Sequence, residues 1–562
     1  MSQTVQIAEQ QIKDAVTAAA AAAVHNGQLP TGQLPPFILE IPQDRSHGDY
    51  AVNAALASAK VFRLPPRKIA EILCENISAE NTFIDGFEVA GPGFINFRLS
   101  DRFYSSILKE IETRGAQYGR SDFGQGKRVL VEFVSANPTG PMHIGNARGG
   151  ALGDCLASVL DAAGYQVSRE FYVNDAGNQI EKFKTSLEAR YLQLFDPSVQ
   201  MPEDAYLGED ITEHAKRFAA IHQDAYVHTD SETRRQALCD YALPLNIQTL
   251  HDDLAKYRIT YDCWFKESSL HQSGAVAEII EKLKASGHTY EKDGALWFKS
   301  TDFGEDKDRV LVRANGVVTY FVPDIAYHYN KLVTRGYDLA IDVLGADHHG
   351  YVPRMKGALQ ALGIDPNRLD AIIMQMVRLV KNGETYKLSK RSGKAITLRT
   401  LLDEVPIDAA RMFFNLREPN SHLEFDLDLA VSKDAQNPVY YVQYAHARIC
   451  SILKNLAADG VYPQSLDTAA LDVLSQPAER ELIRHLAGLA GDIISAAKEY
   501  NPAIITRYVI DLATLFHKFY NACPVKSAPD HLKYPRIALC IATKTVLENV
   551  LTLLKIDAPD EM

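Results

Sequence analysis

Apolar positions change their period along this chain, and the changes divide it. Residues 1–112 mix helical and strand-like stretches. Ala18 to Ala23 form a helix-favouring run. Phe37 to Ile41 read as a strand and Tyr50 to Val61 as an apolar, helix-like stretch. Gly91-Pro92-Gly93 reads as a turn ahead of Phe94 to Phe97. This predicts a small α+β domain. Gly115 to Lys127 is polar and glycine-rich and reads as a linker. Val129 to Val134 is then a compact apolar run of the kind found in parallel strands buried on both faces. A Pro/Gly loop follows, then apolar Leu152, Cys155, Leu156, Val159, Leu160 and Ala163 at helical spacing. Gly164 is the predicted stop, and Val167 to Val173 the next strand. The unit is βαβ.

A second strand–loop–helix runs through Leu339 to Leu344, the loop Gly345 to Gly350, and Val352 to Leu362, with a strand at Ala371 to Val380. Between the halves, 181–300 is too long for a simple crossover and is expected to be an inserted subdomain. From about Ile407 the helical period takes over, at Tyr440 to Leu456, Glu479 to Tyr500, Ile504 to Tyr520 and Arg536 to Leu554. The expected organisation is therefore an α+β domain over 1–112, an α/β domain over 113–404 and an all-α bundle over 405–562.

Composition narrows the class. A chain of 562 residues, 46% hydrophobic and 23% charged, is an ordinary multidomain globular protein of about three or four domains. No apolar run in the sequence approaches the ~20 residues of a membrane span. The N-terminal stretch has neither the basic start nor the apolar core of a signal peptide, so a cytoplasmic protein is expected. Seven cysteines are scattered without a CxxC, which disfavours a disulfide framework and a structural zinc site. A net charge of −12 argues against general nucleic-acid binding. Tyr440 to Met562, with twelve Lys/Arg against thirteen Asp/Glu, is close to neutral and leaves room for a specific RNA partner.

The chemistry concentrates in two distant segments. Pro138-Thr139-Gly140-Pro141-Met142-His143-Ile144-Gly145-Asn146 lies at the strand-to-helix turn, where a helix N-terminus offers free N–H groups to phosphates. Gly140 and Gly145 permit close approach, and His143 can donate to a phosphate oxygen. Lys387-Leu388-Ser389-Lys390-Arg391 is a basic loop between Gly383 and Gly393, suited to clamp a leaving pyrophosphate. The pair resembles the HIGH and KMSKS signatures of class I aminoacyl-tRNA synthetases. Further segments resemble bacterial-type arginyl-tRNA synthetases over nearly the full length. They include Val131 to Pro138, Tyr172 to Gln179, Asp306 to Val310, Tyr320 to His328, Gly345 to Tyr351, Tyr440 to Arg448 and Tyr520 to Val525.

The resemblance implies a Rossmann-type (HUP-like) catalytic domain with insertions, an N-terminal domain that contacts the tRNA elbow and a helical anticodon-binding domain. It implies ATP and Mg²⁺, L-arginine and tRNA(Arg), an arginyl-adenylate intermediate formed only once tRNA is bound, transfer to a 2′-hydroxyl, and no editing domain. A monomer with no membrane attachment is expected. His143, Asn146, Lys387 and Lys390 match the catalytic positions. Gly145, Gly345, Asp347, His349 and Ser389 join them around ATP. Glu132, Asn137, Tyr320 and Asp324 match the positions that hold arginine, and Tyr440, Gln443, Tyr444, Arg448 and Met562 are assigned to tRNA.

A guanidinium calls for carboxylates, and Glu132 inside an apolar strand either faces water, holds an internal salt bridge or awaits a cation. Which acid takes which end of arginine stays open, as does simple core packing for Tyr320. Asn174 and Asp175 either orient substrate or form a turn. A metal site at His348 and His349 lacks a third ligand, so no bound metal is expected from spacing. Asn146 replaces the usual second histidine of the first signature and cannot carry charge. Leu388 replaces a methionine, a volume-conserving change. Rival readings are another class I specificity, a small nucleotidyltransferase, and a non-catalytic tRNA-binding paralogue.

Overall fold

The computed structural model describes residues 2–348, 350–386, 396–465 and 467–562. The alanine-rich start is one helix, Gln3–His25, capped by Ser2. It buries Ile12, Val16, Ala19 and Ala23, packing chiefly on the helices Pro66–Asn76 and Asp101–Arg114 beside a four-stranded antiparallel sheet ordered Leu39–Glu40, Tyr50–Val52, Phe94–Leu99, Ile84–Ala90. Two readings of this region change. The strand expected from Phe37 to Ile41 is only Leu39–Glu40, because its edge partner Tyr50–Val52 is itself short. The helix expected from Tyr50 starts at Ala54, since Tyr50–Val52 pairs with Phe97 to Ile95 and Asn53 accepts the Ile38 N–H at 2.8 Å.

Gly115 to Lys127 is no free linker. Tyr118 is buried and donates its hydroxyl hydrogen to the Leu486 carbonyl at 3.1 Å. Gly119, at φ +95°, packs so tightly that a Cβ would come within 2.6 Å of the Leu489 side chain. The segment is a joint against the helical bundle, and Asp49 extends that contact by pairing with Arg484 at 2.6 Å.

The central sheet has five parallel strands in the order Leu369–Met374, Leu339–Gly345, Arg128–Glu132, Gln166–Val173, Cys263–Lys266. The order reverses between Arg128–Glu132 and Leu339–Gly345, and such a switch point opens a crevice at the carboxyl ends of the strands. The stretch 181–300 is not one insertion. Helices Asn178–Gln193, Glu209–His222 and Ser231–Lys256 form a subdomain with its own core of Phe183, Leu187, Phe218 and Leu238. The chain then rejoins the sheet at Cys263–Lys266, four residues too short to show a period. A second excursion carries a three-stranded antiparallel sheet, Thr289–Lys292, Ala295–Phe298 and Arg309–Val312.

The strand expected from Ala371 to Val380 is also two. Leu369–Met374 completes the main sheet, while Val377–Lys381 pairs with Glu384–Thr385 and Leu423–Asp426 in another. Between them Gln375 donates to the Pro419 carbonyl at 3.0 Å, and its own carbonyl accepts from the fully buried Arg148 at 2.6 Å. The remaining chain is helical, with Pro438–Ala458, Pro477–Glu499, Ala503–Ala522 and Asp530–Leu554 as the bundle. Contrary to the sequence reading, Asp530–Leu554 holds an 18-residue window of mean hydropathy 1.6, long and apolar enough by length and composition to cross a membrane. Its Leu539, Cys540, Val546, Leu547 and Leu551 are buried in the bundle core.

Candidate active site

The strand Arg128–Glu132 ends in an abrupt turn. Val134 and Ser135 both take the left-handed region (φ +70° and +40°), a costly conformation for a β-branched residue. Ser135 secures the turn by donating to Glu132 Oε1 at 2.8 Å and accepting the Tyr172 N–H at 3.1 Å. The chain then enters the helix Ile144–Ala162 with His143 as its N-cap. The helix lies close to the strand's end because Gly153 has no side chain; a Cβ there would meet Phe133 at 2.3 Å. Asn146 Oδ1 accepts the His143 N–H at 2.9 Å, so the residue that departs from the signature closes the first turn. Its Nδ2 makes no hydrogen bond among the described residues.

Lys387, Leu388, Ser389, Lys390, Arg391 and His349 lie outside the described residues. The residues that follow the basic segment are described. Ile396 accepts the Ile144 N–H at 3.2 Å, Leu398 donates to the Met142 carbonyl at 2.9 Å, and Thr397 forms a bridge with His143. The chain leaving the second signature is thus stitched to the first.

A cleft of about 860 Å³ opens at the switch point. His143, Gly145, Asn146, Gly345, Asp347 and Asn137, all expected at the site, line it. Its opposite wall comes from the helical subdomain, through Gln179, Tyr206, Leu207 and Asp210. Burial raises the Asp210 carboxyl above its ordinary value. Gln179 ends the Tyr172 to Gln179 segment already noted; Tyr206, Leu207 and Asp210 were not singled out, because they belong to the excursion rather than to the βαβ unit.

Beside the cleft is a cluster of acids. Lys331 is fully buried and places Nζ 2.5 Å from Glu132 Oε2 and 2.8 Å from Asp342 Oδ1. His328 meets Asp342 Oδ2 at 2.7 Å through Nε2 and donates from Nδ1 to the Asp324 carbonyl at 2.8 Å. Burial alone would raise the Asp342 carboxyl, but Lys331 and His328 hold it well below the usual carboxylate range. Glu132 therefore has an internal cation.

Asp324 has none; its carboxylate makes no hydrogen bond or ion pair among the described residues. Burial pushes Asp324 up to about 7, helped by Glu267 and Glu132 and opposed by His328 and Lys331. Glu267, which the sequence reading did not select, is also raised by burial. With its amide nitrogen turned toward acceptors, Asn174 donates to Glu267 Oε2 at 3.0 Å. Asp175 caps the turn at Ser268, accepting its N–H and hydroxyl at 2.8 Å each. Tyr320 starts the helix Phe321–Tyr329 but is 69% exposed, with its hydroxyl 3.4 Å from an Arg354 nitrogen. It is neither core nor cleft lining.

On the bundle, Tyr440 and Tyr444 stack with centroids 6.4 Å apart and 5° between planes. The Arg448 guanidinium lies 4.5 Å from the Tyr520 ring centroid. Tyr444, Arg448 and Met562 line a second cleft of about 840 Å³. Gln443 does not join them, because its Nε2 donates to Asp408 Oδ2 at 2.8 Å and to the Asp557 carbonyl at 2.9 Å.

Family comparisons agree with this geometry. Residues 8–99 match the arginyl tRNA synthetase N terminal domain, 108–450 the class I (R) tRNA synthetase catalytic domain, and 442–562 the DALR anticodon binding domain. The chain is 55% identical to the arginine–tRNA ligase of Caldanaerobacter subterraneus subsp. tengcongensis over all of both chains. It is 50% identical to that of Acetivibrio thermocellus, again over all of both. The Thermus thermophilus arginyl-tRNA synthetase structure shares the fold at a TM-score of 0.73 and 23% identity, with 98% of this chain and 100% of that one covered. With its catalytic-domain match over 108–450 and a full-length relative at 55% identity, the chain belongs to the arginyl-tRNA synthetase family of class I tRNA synthetases.

Proposed function

We propose that this enzyme ligates L-arginine to tRNA(Arg), consuming ATP and releasing AMP and pyrophosphate. The arginine carboxylate attacks the α-phosphorus in line, pyrophosphate leaves, and the 2′-hydroxyl of the terminal adenosine then takes the arginyl group. No protein nucleophile takes part; positioning and charge stabilisation carry the rate. His143 and the helix N-terminus hold the triphosphate, Gly345, Asp347 and His349 cradle the adenosine, and Lys387, Ser389 and Lys390 meet the departing phosphates. Asn146 acts chiefly through the helix start it closes.

Asp324 is the observation that carries the specificity, a buried carboxylate without a cation beside the nucleotide cleft. It pairs with the guanidinium, and Glu267 stands next to it. Glu132, already held by Lys331, is left to the ammonium end with Asn137. Tyr320, exposed in this structure, would join only by closing over bound arginine. Tyr440, Tyr444, Arg448 and Met562 serve tRNA, and Gln443 serves the domain joint.

The described cleft offers two carboxylates from different segments, Asp210 and Asp347. That set suits an ion brought in on ATP phosphates rather than caged by protein, and Mg²⁺ fits it. When bound, Mg²⁺ would neutralise phosphate charge. Domains over 1–112, 113–404 and 405–562 are proposed, supported by the three matched segments. A cytoplasmic monomer completes the proposal.

ATP–pyrophosphate exchange with each of the twenty amino acids, with and without total tRNA, tests the reading. Exchange with arginine alone, and only when tRNA is present, is expected. Exchange with a different amino acid overturns the specificity; no exchange at all overturns the catalytic assignment.

A further inference from the structure

His446 and Cys450 sit one turn apart on one face of the helix Pro438–Ala458, and the segment 557–562 lies against that face. His446 is fully buried, yet both of its ring nitrogens face oxygens. Nδ1 is 2.8 Å from the Pro559 carbonyl, and Nε2 is 3.2 Å from Glu548 Oε1. A neutral imidazole has one N–H and can satisfy only one of these. The other side requires either a second proton or a cation.

On the Nδ1 side the surroundings are those of a metal ligand set. Cys450 Sγ is 3.9 Å from Nδ1, and Asp560 Oδ1 is 3.2 Å from Sγ. The three donor atoms all lie within 4.8 Å of one another. An ion bound tetrahedrally to thiolate at about 2.3 Å and imidazole at about 2.0 Å separates adjacent donors by roughly 3.5 Å. The observed 3.2 and 3.9 Å bracket that spacing. On the opposite side of the ring Glu548 accepts from Nε2–H. Glu548 Oε1 also accepts from Lys544 Nζ at 2.5 Å, and with Nε2–H directed to it the Nδ1 lone pair is free, the arrangement in which a carboxylate orients a metal-bound histidine.

We propose that His446, Cys450 and Asp560 form a site for a thiophilic divalent cation of the zinc type, which fastens segment 557–562 to the helix Pro438–Ala458. The mixed sulfur, nitrogen and oxygen donors select zinc or cobalt over magnesium or calcium. On binding, the Cys450 thiol gives up its proton to solvent and the sulfur takes the metal. Burial, with Asp560 beside it, pushes that thiol up to about 11, so without a metal it stays protonated. The Pro559 carbonyl stands on the Nδ1 side as a further oxygen donor.

His328 shows the alternative. It too has acceptors on both nitrogens, the Asp324 carbonyl at 2.8 Å and the Asp342 carboxylate at 2.7 Å. No cysteine is bonded to His328 among the described residues, whereas His446 has Cys450 and Asp560 on the side where the cation would sit. The consequence concerns the second cleft. Met562 is two residues beyond Asp560 and lines that cleft with Tyr444 and Arg448, so the cation would set the order of one of its walls.

The test uses the full chain, stripped with chelator and titrated with Co²⁺, then with Zn²⁺. One equivalent of Co²⁺ is expected to give a thiolate-to-cobalt charge-transfer band and the visible bands of a tetrahedral ion, both abolished by Zn²⁺. Cys450→Ser removes the charge-transfer band, and the exposed Asp560→Asn weakens binding at least tenfold while leaving circular dichroism unchanged. Amide hydrogen exchange at 557–562 slows with Zn²⁺ in the wild type and not in Cys450→Ser. An absent band, or one that persists in Cys450→Ser, overturns the site and leaves His446 a buried hydrogen-bonding residue like His328. No arm uses arginine or tRNA, so failure here is separate from failure of the ligase reading.

Discussion

Lys331 reaches Glu132 from 199 positions away in the chain and places its ammonium 2.5 Å from the carboxylate. The pair is fully buried on the lysine side and shared with Asp342. Removing one partner of a buried pair leaves an uncompensated charge, which costs about 3–5 kcal/mol. Lys331→Met is therefore expected to destabilise the fold by that order in urea unfolding. Combining it with Glu132→Gln restores part of the loss. A single variant as stable as wild type would show that water already screens Glu132.

Asp324 behaves in the opposite sense. Burial raises its folded carboxyl to about 7, so the folded chain holds that proton more tightly than the unfolded chain. Stability from this group is fully present below about 4 and is lost as pH rises toward 7. Arginine needs the ionised form. Its affinity is expected to rise between pH 6 and pH 8 and its binding to release a proton, seen by calorimetry in two buffers of different ionisation enthalpy. Asp324→Asn lowers arginine affinity at least a hundredfold while raising the melting temperature at pH 8. Unchanged affinity would move the guanidinium to Glu267.

Lys390 is proposed to act on the leaving group. Removing one charged donor aimed at transition-state charge costs about 10²- to 10³-fold in turnover. Lys390→Ala is expected to lose that much in the exchange reaction with arginine KM little altered. A normal turnover number would take Lys390 out of the chemistry.

Arg448 and Gln443 occupy neighbouring turns but serve different ends. Arg448→Ala should raise the KM for tRNA and reduce the salt dependence of tRNA binding by about one counterion. Gln443→Ala breaks contacts to Asp408 and the Asp557 carbonyl, and should lower the melting temperature with tRNA binding kept. The reverse outcome would exchange the two roles.

Local periodicity carried much of the fold. The helical spacing of Leu152 to Ala163 and the apolar run at Val129 are short-range patterns, and they became a helix and a central strand. The two phosphate-directed segments were legible because their residue types are the chemistry. Cys263–Lys266 was not legible, being four residues long and recognisable only by its pairing with Glu170 to Val173. Gln375, where one expected strand becomes two, is fixed by Arg148 from a different helix.

By itself the sequence determined the long periodic helices, the first βαβ unit, the family and the reaction, because period and motif are properties of neighbouring residues. Only the tertiary structure separated the two acids of the arginine reading. Glu132 and Asp324 are equivalent on paper; Lys331 neutralises one and burial leaves the other wanting a cation. It likewise set Cys450 against Asp560, 110 positions apart. Coulomb energy and desolvation depend on distance through space and on exclusion of water, and the linear chain specifies neither until it has folded.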